Sequence, residues 1–277
     1  MIIFRSISLL LLTAFFFQAC NSSMSKSQDR EESASLETKA EADTLAEVIM
    51  PEDTLAKSFL LGRFDPAKEE DFEKITSAHG AGSGLGAYLH KETMAAFKEM
   101  HAAAKKEGVN LIIKSATRNF FRQKQIWEAK WTGARKVGGK DLSKSKPDPA
   151  ERALEILLFS SMPGTSRHHW GTDMDLNAFE NSYFASGKGL KEYEWLKAHA
   201  ADYGFGQPYT EKGPDKRPYG YEEERWHWSY LPLAKKYLKA YSAQIVPSDI
   251  QGFKGAEVAE ELKVLERYVE GIAPDCK

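Results

Sequence analysis

Cysteine is nearly absent from this chain: there are two in 277 residues, Cys20 and Cys276, at opposite ends. That excludes a disulfide-dense scaffold, and the two are not expected to pair, because Cys20 has another explanation. Long apolar runs are also missing. The longest, over residues 7–17, is too short to span a bilayer comfortably. A surplus of positive charge is missing too: 38 Lys and Arg face 40 Asp and Glu, for a net charge of −2. Nothing in that balance points to nucleic acid, so no nucleic-acid partner is expected. There is no G-x-S-x-G nucleophile elbow and no internal repeat. Residues 21–58 contain no Phe, Trp or Tyr, and such a segment cannot bury enough apolar surface to fold by itself.

What is present begins with a targeting segment. Arg5 supplies a short positive region, residues 7–17 an apolar one, and Ala19 a small residue directly before Cys20. This resembles the signal and lipobox of bacterial lipoproteins, although Phe17 and Gln18 are not the usual residues there. The resemblance implies a signal peptide over residues 1–19 and a lipidated Cys20. The mature protein would then be exported, anchored to the membrane and facing the periplasm or cell envelope. Residues 20–58, rich in Ser, Glu, Ala, Lys and Asp, read as a flexible tether.

A folded domain is expected over residues 59–245, with a helical extension over 246–277. Met94, Phe97, His101 and Ala104 fall at helical spacing, and Gly108 is a natural stop, which predicts a helix over 92–108. Residues 109–115 read as a strand, 121–131 and 150–159 as helices, and 132–149 as a long basic loop carrying Lys136, Lys140, Lys144 and Lys146. Residues 168–177 read as a turn at Gly171 entering a strand. A helix is expected over 191–203, ended by Gly204, then an aromatic strand over 226–230 and helices over 233–243 and 257–272. Strands and helices intermingle without a regular βαβ rhythm, so the class is α+β.

Three segments carry chemistry. Ser166 to Asp175 contains His168, His169, Asp173 and Asp175; Glu224 to Trp228 contains Glu224 and His227; Ser115 to Arg118 contains an arginine. Catalytic zinc takes three nitrogen or oxygen ligands and keeps one position open. Two histidines and an aspartate satisfy that count. Gly171 can turn the chain so that His168 and Asp175 converge. On the strand that follows, Asp173, Asp175 and Asn177 share one face. Trp226 and Trp228 point one way and His227 the other, while Glu224 needs a bend to reach the same place.

The pattern S-x-H-x-x-G-x-x-x-D followed by E-x-W-H resembles the VanY-like zinc D-Ala-D-Ala carboxypeptidases, relatives of VanX dipeptidases and of the hedgehog metal-binding fold. The resemblance covers roughly residues 87–241 and implies a small antiparallel sheet carrying a zinc site, flanked by helices. By this resemblance His168, Asp175 and His227 are the Zn²⁺ ligands, with His168 favoured over its neighbour His169. Glu224 matches the general base, and Arg118 the arginine that stabilises the oxyanion. The implied substrate is a peptidoglycan stem peptide and the chain is taken as a monomer. Asp173 stands where a small residue is usual. Within the same chemistry an L,D-carboxypeptidase or a peptidoglycan endopeptidase stays open. Outside it, so does a zinc-containing wall-binding module that does not cut. Arg122 and Arg167 are candidates for holding a substrate carboxylate.

The remaining histidines have plainer readings. His101 on an apolar helix face is a core residue, and His79, His90 and His199 are surface or packing residues. Trp127 and Trp131 are core or groove wall, Ser166 a structural hydroxyl, and Cys276 an inert tail residue.

Overall fold

The structure, a computed structural model, describes residues 55–213 and 216–277. The leader, Cys20 and the tether up to residue 54 lie outside the described residues. A four-residue helix, α1 (Lys57–Leu60), opens the domain and buries Leu60. A two-stranded antiparallel ribbon follows, β1 (Phe72–Lys74) with β2 (Tyr88–His90). His90 then caps α2 (Lys91–Lys106), its Nδ1 accepting the Glu92 N–H at 3.3 Å. Met94, Phe97, Met100, His101 and Ala104 form the buried stripe of α2, as their spacing predicts.

The sheet that matters for function has four short antiparallel strands in the order β3–β4–β6–β5. These are β3 (Ile113–Ser115), β4 (Asp173–Leu176), β5 (Phe205–Gly206) and β6 (His227–Tyr230). The strand expected over 109–115 is thus confined to its last three residues. Between β3 and β4 lie α3 (Phe120–Trp131), α4 (Leu142–Ser145) and α5 (Pro149–Ile156). Helix α3 is capped by Asn119, whose side chain accepts the Arg122 N–H at 2.9 Å. Helix α6 (Gly187–His199) precedes β5, and α7 (Leu231–Gln244) follows β6. The expected basic loop holds α4, nucleated by Asp141, which accepts from the Ser143 N–H. This is the α+β arrangement that the sequence predicts.

The sheet separates one of two apolar clusters from the polar site. Met174, Leu176, Trp226 and Trp228 alternate onto one side and pack with Phe97, Leu111, Ile113, Phe184 and Phe205. Asp173, Asp175, His227 and Ser229 fall on the other side. The second cluster joins α1, α3, α5 and α7 to the C-terminal residues. Trp127 and Trp131 belong to it, stacked at 6.1 Å, with the Trp127 indole donating to the Lys254 carbonyl at 2.8 Å. His101 is buried, its Nδ1–H donating to the Leu111 carbonyl at 2.9 Å.

The helix expected over 257–272 does not form. The segment is a 3₁₀ turn at Ala256–Val258, further turns, and a π-helical turn at Leu265–Val269. Lys263 sits at φ 51°, which no helix tolerates. The buried residues Val258, Leu262, Val264, Val269 and Ile272 are spaced 4, 2, 5 and 3 apart, and no single helical stripe would bury them all.

Candidate metal centre and its cavity

His168 lies on a 3₁₀ turn, Arg167–Trp170, that ends at Gly171 in the left-handed region (φ 73°). Only glycine fits there: a Cβ would come within 2.4 Å of the Phe72 ring and 3.0 Å of the His90 nitrogen. The turn reverses the chain so that β4 brings Asp175 back beneath His168, as expected. Asp175 pairs with His227 across β4 and β6, and with Ser115 across β3 and β4 past an irregularity in register. Directly opposed residues share a face at short range. Glu224 reaches the same place through a turn in which the His227 N–H donates to the Glu224 carbonyl at 3.2 Å.

One ligand atom from each of His168, Asp175 and His227 lies within 4.8 Å of the others, and all three residues are buried. His168 Nε2 is 3.3 Å from Asp175 Oδ1, and His227 Nδ1 is 3.2 Å from the same oxygen. Neither His168 Nε2 nor Asp175 Oδ1 has a hydrogen-bond partner, a state that buried polar atoms rarely occupy. The opposite ring nitrogens are committed. His168 Nδ1–H donates to the Ala116 carbonyl at 2.9 Å, and His227 Nε2–H to Asp173 Oδ2 at 2.8 Å. Such outer bonds fix the tautomer and aim the other nitrogen inward. Two imidazoles and one carboxylate in this attitude fit Zn²⁺.

Asp173, whose role the sequence leaves open, lies behind the candidate ligand His227. Its Oδ1 accepts from Thr172 Oγ1 at 2.7 Å and Ser229 Oγ at 2.9 Å; its Oδ2 accepts from Arg167 Nε at 3.0 Å and from His227. Burial pushes this carboxyl up, but Arg167 and His227 outweigh it and hold it well below the usual carboxylate range. Arg167 is fully buried and also donates to Ser229 Oγ at 2.7 Å. Its guanidinium is wholly buried and does not line the cavity of the site, so it is not a substrate-binding cation, which removes one sequence candidate. Ser229 was invisible in the sequence; its only signal is its place two residues after His227 on the same face. His169 is also turned away from the ligands: its Nε2 accepts the Gly164 N–H at 3.0 Å and its Nδ1–H donates to the Arg118 carbonyl. Burial depresses its pKa to about 3, so it stays neutral.

Burial also lowers the pKa of His168, helped by Arg118, and keeps it in the neutral form a metal needs. His227 is raised despite burial, by Asp173, Asp175 and Glu224. Glu224, 3.4 Å from His227 Nδ1, is raised by burial and by Asp175, against the pull of His227 and Arg118. A carboxylate raised in this way suits proton transfer nearer neutrality. Arg118 Nη1 donates to Ser115 Oγ at 3.0 Å and lies 3.4 Å from Asp175 Oδ2.

These groups open onto a cavity of about 670 Å³ lined by Ser115, Arg118, His168, Asp175 and Glu224, a size suited to a small-molecule or short-peptide ligand. Its lining also includes the cations Arg122, Lys130 and Arg135 and the aromatic residues Phe159, Phe179 and Trp226. Phe159 and Phe179 are about half exposed, so part of each ring is available to a ligand in the cavity.

The family profile described as VanY, D-alanyl-D-alanine carboxypeptidase, matches residues 86–233, more than half of the chain. The chain belongs to this family, and the match spans every residue of the cluster just described. A relative in Bacillus subtilis (strain 168), YodJ, is 34% identical over 151 residues, covering 52% of this chain and 46% of that protein. The D-alanyl-D-alanine carboxypeptidase of Enterococcus faecalis (strain ATCC 700802 / V583) is 28% identical over 137 residues, covering 49% of this chain and 46% of that protein. The chain thus spans about half the length of these two relatives. Among solved structures, VanYB in complex with D-Alanine-D-Alanine aligns at 24% identity and a TM-score of 0.43, covering 63% of this chain and 86% of that one. The LdcB LD-carboxypeptidase aligns at 22% identity and a TM-score of 0.43, covering 76% and 78%.

Proposed function

We propose that this protein is a zinc metallopeptidase that removes a terminal D-alanine from peptidoglycan stem peptides. His168, Asp175 and His227 hold the metal, Glu224 is the general base, and Arg118 stabilises the oxyanion. The observation that carries the reading is the convergence of the three ligand atoms with Glu224 on the floor of a cavity large enough for a peptide end. Zn²⁺ at this position supplies Lewis acidity toward the scissile carbonyl and makes water more acidic. Glu224 takes the proton of the attacking water and passes it to the departing amine. Arg118, half-buried above Asp175, donates to the oxygen on which negative charge develops; losing one such donor typically costs about 3 kcal/mol of transition-state stabilisation. Asp173 keeps the His227 ring oriented throughout.

Glu224 argues against a wall-binding module that does not cut, because such a module has no use for a buried carboxylate beside its metal. Incubation of the protein with a stem pentapeptide ending in D-Ala-D-Ala, followed by mass spectrometry, tests the reading. Loss of one alanine that a chelator abolishes is the expected result. An intact pentapeptide beside a cleaved tetrapeptide or cross-link would reassign the enzyme to L,D-carboxypeptidase or endopeptidase work.

Export and anchoring through a lipidated Cys20 belong to the same proposal, supported by the apolar run at residues 7–17 and Ala19 before Cys20. The mass of the mature N-terminus tests it: a diacylated or triacylated cysteine is expected, and an unmodified or uncleaved leader would refute it. No helix among the described residues is long and apolar enough to cross a membrane.

A further inference from the structure

A peptidase that acts at a chain end must recognise the end as well as the bond, and a C-terminal end is a carboxylate. Four cations line the cavity: Arg118, Arg122, Lys130 and Arg135. Arg118 is engaged beside Asp175 at the reacting centre. Arg122 is exposed and donates to Gln125 Oε1 at 3.2 Å, and Arg135 is exposed. Exposed cations gain little from one added anion.

Lys130 differs from all three. It stands on the last turn of α3, half-buried, with its ammonium donating to Ser160 Oγ. An ammonium has three donors, and among the described residues Ser160 is its one hydrogen-bond partner, with no carboxylate in salt-bridge contact. Gln123, Ile126 and Lys130 fall at i, i+3 and i+7 on α3 and all line the cavity. Ile126 thus gives a short side chain an apolar seat one turn before the cation, with Phe159 also on the cavity wall. The charged groups that bear on Lys130 are Arg135, Arg118 and Glu224.

We propose that Lys130, steadied by Ser160, is the specificity residue that receives the free C-terminal carboxylate of the substrate and so makes the site an exopeptidase. This rests on the zinc-peptidase reading above. Burial, with Arg135 and Arg118 adding to it, pushes the Lys130 pKa down to about 8. The ammonium is therefore mostly charged at neutral pH and is lost as the pH rises through that value.

The test uses Nα,Nε-diacetyl-L-lysyl-D-alanyl-D-alanine, whose only carboxylate is terminal, and its C-terminal amide. Both are given to the zinc-loaded wild type, Lys130→Met and Lys130→Arg. The wild type should prefer the acid by on the order of 10- to 100-fold in kcat/KM, as a charge-assisted hydrogen bond implies. Lys130→Met should bring that ratio close to one through KM for the acid, and Lys130→Arg should keep most of it. In the wild type, kcat/KM for the acid should fall above about pH 8; with Lys130→Arg that limb should move to higher pH. A Lys130→Met variant that lowers acid and amide in equal proportion would make the lysine a structural post and overturn the proposal, as would a wild type indifferent to amidation. Hydrolysis of neither peptide by the wild type would overturn the peptidase reading itself, and this one with it.

Discussion

Two layers of polar side chains meet at His227, and they are built differently. In the inner layer every oxygen of Asp173 is used, by Thr172 and Ser229 on one side and by Arg167 and His227 on the other. The outer layer faces the cavity and leaves His168 Nε2, Asp175 Oδ1 and Arg118 Nε without hydrogen-bond partners. A carboxylate enclosed in this way in a low-dielectric interior fixes geometry, because each of its partners is costly to displace; Arg167 Nη1, on the far side of the pair, has no partner. His168 Nε2 and Asp175 Oδ1 belong to residues that line the cavity, and their free valences are open to a ligand. One sheet face thus carries two arrangements, an enclosed carboxylate behind His227 and converging ligand atoms in front of it.

Substitutions can break this division, and the largest effect is expected in the outer layer. Glu224→Gln should lower kcat by about 10²- to 10⁴-fold while the zinc content, read by atomic spectroscopy, stays that of the wild type. Loss of zinc in that variant would move Glu224 into the ligand set. Next comes the inner layer. Asp173→Ala leaves the fully buried Arg167 without its counter-charge, at an expected cost of about 3–5 kcal/mol in denaturant unfolding. The milder Asp173→Asn should weaken zinc affinity by about 10- to 100-fold in competition with a chromogenic chelator. An unchanged affinity would show that the inner layer does not orient His227.

His169 sharpens the comparison, since it lies beside a proposed ligand yet belongs to neither layer. Its pKa is depressed to about 3 in the folded protein, against about 6.5 when unfolded. Between those values the unfolded chain holds a proton that the folded one refuses, so stability falls as pH drops from about 6.5 toward 3. His169→Gln should flatten this decline by as much as about 1.4 kcal/mol per pH unit, measured by urea unfolding across that range, and should keep its zinc. A steep, unaltered acid limb would mean that other groups carry it. The smallest effect is expected in the basic segment. Lys140 is exposed, and Lys140→Ala should change stability by less than about 0.5 kcal/mol.

The outer layer was legible in the sequence because its geometry is local. A glycine turn, alternation along β4, and a histidine flanked by two tryptophans are enough to bring His168, Asp175 and His227 to one place. The long amphipathic helix α2 was legible from its period for the same reason. The inner layer was not, because Arg167 on its 3₁₀ turn and Ser229 on β6 meet only through the tertiary fold, 62 residues apart, and neither residue type signals that contact. Arg167, a candidate from the sequence for holding a substrate carboxylate, is instead buried against Asp173. Lys130 carries no such local signal, because it meets Ser160 and the cavity only once α3 has packed. The C-terminal segment misled for another reason. Val258, Leu262, Val269 and Ile272 do follow a helical period, but Val264 is buried as well and would fall well off that face, and Lys263 takes a positive φ instead, so packing overrode propensity.

The central claim, that His168, Asp175 and His227 hold one zinc ion, is tested most directly by a zinc titration of the wild type beside Asp175→Ala, reading metal bound per chain. The account predicts about one tightly bound zinc in the wild type and none of comparable affinity in Asp175→Ala. Equal stoichiometry and affinity in the two proteins would place the metal elsewhere and contradict it.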